Sequence, residues 1–122
     1  MNKKGFTLIE LLAVIVILSI IAIISFTIIF KLIDDSRQDI YEANISTIEK
    51  AAEKWAVDNS HLVGKSAAYC LDVDDLVNGG YIKSDSLKDP REKNAGNITG
   101  YVKILYDSTY KQYEYTYVGD NC

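Results

Sequence analysis

Between Phe6 and Phe30 the chain reads FTLIELLAVIVILSIIAIISFTIIF, twenty-five residues with a single charged side chain, Glu10. At ~1.5 Å rise per residue a helix of this length reaches roughly 37 Å, enough to cross a bilayer core of ~30 Å with some tilt. No other stretch constrains the fold so strongly. A carboxylate inside such a segment costs ~2.5–3.5 kcal/mol on insertion scales, and charges of this kind normally have a partner. The segment therefore poses a definite question: which group meets Glu10.

About ninety residues follow the run, enough for one small domain with a single modest core. The whole chain carries −4 formally. Without Lys3, Lys4 and Glu10, residues 31–122 hold 11 basic and 16 acidic groups, a net −5. A dispersed acidic surface argues against nucleic-acid binding by the head, which needs clustered Lys and Arg, and against a polybasic membrane-surface module. Lys3 and Lys4 before the run keep the N-terminus in the cytoplasm and place the C-terminal domain outside. The run is too long for a conventional signal peptide and lacks an A-x-A-like site after it. Cys70 and Cys122 are the only cysteines. In a small domain outside the membrane they favour a disulfide, with two free thiols as the rival state.

Gly5-Phe6-Thr7-Leu8-Ile9-Glu10, behind a short basic leader and at the start of a long apolar helix, resembles the processing site of type IV pilins and their pseudopilin relatives. The layout of the whole chain is similar to that family, and closest to Gram-positive type IV pilins. The resemblance implies an α+β, type IV pilin-like fold. In it a long N-terminal helix has an apolar half that protrudes or spans the membrane and an amphipathic half packed on a small antiparallel sheet. It implies a leader at residues 1–5, a transmembrane or filament-core helix at 6–30, its amphipathic continuation at 31–60, and a globular head at 61–122. It further implies cleavage between Gly5 and Phe6 by a prepilin peptidase, N-methylation of Phe6, and pairing of Glu10 with the Phe6 amine of a neighbouring subunit. Thr7 belongs to the same polar cluster. Gram-negative-type pilins commonly carry a proline late in the apolar run. Here that stretch is Ser25-Phe26-Thr27-Ile28, and the single proline is Pro90. Ser25 and Thr27 can bond back to carbonyls one turn earlier and bend a helix mildly.

Beyond Phe30 the apolar residues thin to a stripe. Tyr41, Ile45, Ile48, Ala52 and Trp55 recur at four, three, four and three, one face of a helix that packs into the head. No Gly or Pro interrupts Phe6 to Ser60, so one helix of about fifty residues is expected. Asp72 to Gly80 predicts a short helix capped by Asp72 and stopped by Gly79. Residues 100–106 and 112–118 predict two strands joined near Asp107-Ser108-Thr109, with Val102 and Ile104 on one face and Tyr113, Tyr115 and Tyr117 together on another. Arg91 to Thr99 reads as a polar surface loop.

The chemistry-bearing candidates are few. His61 is the only histidine and has no partner at metal-ligand spacing. Gly64-Lys65-Ser66 lacks the earlier glycine and the strand of a phosphate-binding loop. The Asp72-Asp74-Asp75 cluster fits a first helical turn better than a calcium loop. No enzyme, metal or cofactor is expected. The expected partners are copies of the same chain in a helical filament, other pilins, the prepilin peptidase, the assembly platform, and the cytoplasmic membrane before the filament reaches the cell surface. Two rivals remain: a pseudopilin of a type II secretion or DNA-uptake system, and a simple membrane-anchored binding ectodomain.

Overall fold

The computed structural model describes Gly5, residues 7–92 and residues 94–122. Residues 1–4, in the expected leader, and Phe6, the expected methylation position, lie outside the described residues. In chain order the elements are helix α1 (Leu8–Asp58), strand β1 (Tyr69–Asp72), helix α2 (Val73–Asn78), a 3₁₀ turn (Ser84–Leu87), and strands β2 (Tyr101–Asp107) and β3 (Gln112–Gly119). The three strands form an antiparallel sheet in the order β1-β2-β3. The fold is α+β, a long apolar-led helix followed by a small sheet, consistent with a pilin-like fold.

The chain divides into two compact units, Met1–Ser36 and Arg37–Cys122. In the first, α1 carries its apolar side chains outward, from Leu8 at 84% exposure to Phe30 at 65%. Helix is the natural state of this sequence in an apolar medium, because it satisfies every interior backbone group within one segment. Its hydroxyls follow the same rule. Ser19 Oγ donates to the Ile15 carbonyl at 2.7 Å and Thr27 Oγ1 to the Ile23 carbonyl at 3.2 Å.

In the second unit, the rest of α1 packs on one face of the sheet. Ile48, Ala52 and Trp55 are buried, and Tyr41 and Ile45 lie partly buried at the margin. Ala51 and Ala56 are buried beside them, which widens the face beyond a four-three stripe. Small side chains there let the helix approach closely, while Trp55 stacks on Tyr69 of β1 with ring centres 5.3 Å apart. The sheet's register brings Leu71, Val102 and Tyr117 into one row and Tyr69, Ile104 and Tyr115 into the next. Leu71, Val102 and Ile104 are fully buried, and the tyrosines close the core at its rim. The tyrosine row is thus cross-strand packing.

Local chemistry sets the element ends. Asn59 donates both its backbone N–H and its side-chain amide to the Trp55 carbonyl at 2.9 Å, stopping α1. Asp72 accepts the Asp74 N–H at 2.9 Å as the N-cap of α2. The far end is a Schellman motif: Gly80 N–H bonds to the Val77 carbonyl and Tyr81 N–H to the Leu76 carbonyl. Gly80, at φ +80°, is the left-handed residue, so the stop expected at Gly79 is shared with its neighbour.

Two expectations need correction. Strand β1 was not anticipated. It is four residues long, and its last residue, Asp72, also caps α2, so the capping signal hides the strand. The stretch from Arg91 to Thr99 is not wholly a surface loop either. Ile98 is 5% exposed within the core, Asn97 bridges Lys88, and the Thr99 carbonyl accepts the Tyr117 hydroxyl. A single buried isoleucine among polar residues anchors the segment without making an apolar pattern.

Candidate functional site

The first turn of α1 is built from two of the residues singled out in the sequence. Glu10 donates its backbone N–H to Thr7 Oγ1 at 3.2 Å, and the Glu10 carboxylate accepts the Thr7 N–H at 3.4 Å. This reciprocal pair is a capping box, and it satisfies two of the N–H groups that a helix start leaves without partners. In an apolar setting an unsatisfied N–H is costly, so the cap matters more here than at a water-exposed helix. Glu10 is therefore not solitary, since one of its carboxylate oxygens is held by its own helix. The signal was legible: Thr7-x-x-Glu10 ahead of an apolar run is the capping-box pattern.

Gly5 immediately precedes Phe6 and is exposed, and a Cβ there would touch none of the described residues within 4 Å. Packing within the chain does not call for glycine at this position. The apolar surface that follows lies open from Leu8 onward, and α1 is long and apolar enough to cross a membrane. An apolar face of this extent is incompatible with water and calls for lipid or another protein surface.

In the head, several described side chains form structural ties. Cys70 and Cys122 are joined by a disulfide with Cα atoms 5.9 Å apart. It ties the segment after β3 back to β1, across the end of β2. Arg91 lies 3.6 Å above the Tyr41 ring and grips Asp89 through Nε–Oδ1 (3.0 Å) and Nη2–Oδ2 (2.8 Å). The Arg91 hydrogen bond holds the Asp89 carboxyl below its ordinary range. Asn44 adds a bond from its amide to the Lys88 carbonyl at 3.2 Å, so residues 88–91 are strapped to α1. At the end of α1 the Tyr81 hydroxyl donates to Asp58 at 2.7 Å, and that bond pushes the phenol pKa up.

The acids of α2 have local explanations: Asp72 caps, and Asp74 and Asp75 occupy the favourable first turn. Among the described residues no group of three or more His, Cys, Asp or Glu is placed to hold a metal ion. His61 is exposed.

Comparison with known families agrees with the N-terminal geometry. Residues 1–26 match the prokaryotic N-terminal methylation motif. No curated protein and no solved structure matches the chain. The chain thus carries the class III signal of type IV pilins and pseudopilins, and its N-terminus is that of a pilin- or pseudopilin-like precursor. The motif implies processing by a prepilin peptidase and assembly with other pilins.

Proposed function

We propose that the chain is a structural subunit of an extracellular type IV pilus, assembled through α1 after removal of its leader. Residues 1–5 are the leader, 6–30 the membrane span that becomes filament core, 31–60 its amphipathic continuation, and 61–122 the head. The precursor sits in the cytoplasmic membrane with its N-terminus inside, and the assembled subunit lies on the cell surface. Its role is structural, with no cofactor.

The observation that carries this reading is the Thr7–Glu10 cap at the start of an exposed apolar helix, within the methylation motif. Cleavage between Gly5 and Phe6 turns the Phe6 nitrogen into a cation, which is then methylated. Two buried opposite charges roughly offset their own desolvation when paired, but losing one partner costs about 3–5 kcal/mol. The Glu10 carboxylate and a neighbouring subunit's Phe6 amine therefore act as a register device. Subunits that meet out of step leave a charge stranded in an apolar core, and the cap holds the carboxylate oriented until the amine arrives.

The test is a Glu10→Ala chain in cells that make the filament. It should remain membrane-inserted and lose efficient filament growth, while the wild type yields surface filaments by electron microscopy. Normal filaments from Glu10→Ala would end the pairing role. A wild-type chain whose intact mass still begins at Met1, in cells with active prepilin peptidase, would overturn the reading altogether. Loss of secretion or DNA uptake without any surface filament would move it to a pseudopilin.

A further inference from the structure

The last turns of α1, the loop after it and β3 enclose a groove of about 290 Å³ lined by Ala56, Val57, Ser60, Val63, Tyr113 and Tyr115. Val57 at its lip is 71% exposed, and both tyrosines are half-buried, so apolar and aromatic surface remains uncovered. Glu53, one turn before Val57, adds to the burial that raises the Tyr115 phenol pKa, which places negative charge at this end of the groove. On the other side of Val57, Glu53 and Asp58 share an open surface with Lys50 and Lys54.

The same head carries a fitting projection. At the β2–β3 turn, Asp107 Oδ1 accepts the Thr109 N–H at 2.8 Å and Lys111 adopts φ 55°. This ordered tip holds out Tyr110, which is 72% exposed while every other tyrosine is at least half-buried. Lys111, exposed beside it, supplies a positive charge.

We propose that the Tyr110 tip of one copy seats in the Val57–Tyr115 groove of a second copy, with Lys111 of the first facing Glu53 of the second. This contact rests on the filament reading above and names the head surfaces that would meet. Tip and groove could meet reciprocally, closing a two-fold pair, or head to tail. The helical filament proposed above requires the head-to-tail, heterologous form, whose repetition without closure gives a helical array. An aromatic anchor in an apolar pocket is the usual carrier of interface energy, and Tyr110 against Tyr113 and Tyr115 adds edge or offset ring contact. Each contact alone can be weak, because the other contacts of the same filament hold the two heads at high effective concentration.

The test is cross-linking in sheared filaments of full-length chains. One population carries Tyr110→Cys, another Val57→Cys, and the two are co-expressed and treated with a short bismaleimide. Covalent dimers should form in the mixture and in neither population alone, and chains with both changes should give a ladder of multimers. Normal filaments whose mixed chains stay monomeric on a denaturing gel would overturn the contact. Should the cysteine chains assemble poorly, Lys111→Glu and Glu53→Lys serve instead. Each single change should lower filament yield several-fold and the pair should restore it; unchanged yield from both singles would sink the proposal. Absence of wild-type filaments would count against the filament reading itself, a different result.

Discussion

Replacing both cysteines by serine should cost the head much of its stability. The bridge joins residues 52 apart in sequence and encloses the rest of β1 together with α2, β2 and β3. Loop-closure entropy for that separation comes to about 4 kcal/mol in favour of the folded state. Both cysteines are exposed, so the change opens no core cavity to confuse the comparison. For a domain of this size each kcal/mol moves the melting point by about 4–8 °C, which puts the expected fall at roughly 15–30 °C. The full chain in detergent micelles is the right sample. Trp55, the only tryptophan, lies in the core and reports head unfolding without interference from the apolar helix. Urea titration followed by Trp55 fluorescence then gives the free-energy difference. A loss below about 1 kcal/mol would refute the reasoning, because the sheet would then be holding its own ends without the covalent closure.

Gly100 stands at φ +122°, where an added Cβ would meet the Gly119 carbonyl oxygen at 2.7 Å. Gly100→Ala should therefore destabilise by about 1–3 kcal/mol in the same urea assay, whereas Gly96→Ala, with open space at its Cβ, should not; equal effects would count against the close-approach argument. Asp89 has a depressed folded-state pKa because Arg91 hydrogen-bonds to it. Its stabilising contribution is then present above the ordinary Asp pKa of about 3.9 and is lost as pH falls through the lower folded value. Carboxyl NMR of Asp89 should show a midpoint below the ordinary Asp value of about 3.9, and a midpoint at or above that value would contradict the pairing. Thr7→Val removes the capping oxygen and should loosen the first turn of α1 by about 1 kcal/mol, read as faster amide exchange at Glu10, while Thr7→Ser should keep protection; fast exchange in both would deny the cap its role.

The long elements were written plainly in the sequence. An uninterrupted apolar run followed by a four-three stripe admits only a long helix, and alternation around Val102, Ile104 and the tyrosines admits only strands. The features that sequence reasoning missed are those where one residue has two duties. Asp72 ends β1 and caps α2, so its capping signature masked a strand too short to show alternation. Ile98 fixes a polar segment by itself, with no periodic companions to reveal it. At the N-terminus the pattern was visible, yet Glu10 read as a charge in search of a distant partner. The same carboxylate also closes its own helix, because residues seven and ten of this chain are three apart and lie one turn from each other. Ala52 stands in the stripe, but Ala51 and Ala56 beside it were missed, because a methyl side chain off the four-three spacing leaves little periodic signal.

The disulfide also sets how the head responds to a pull. For a load between the end of α1 at Asp58 and the C-terminal residue Cys122, the covalent path runs through the bridge at Cys70. Only the twelve residues from Asn59 to Cys70 can then be drawn out, a reach of about 40 Å. Without the bridge, sixty-four residues pay out, and the same load could lengthen the chain by roughly 220 Å. A head fastened in this way gives slack of one short loop and then stops, which lets the covalent path carry tension past the sheet without unravelling it.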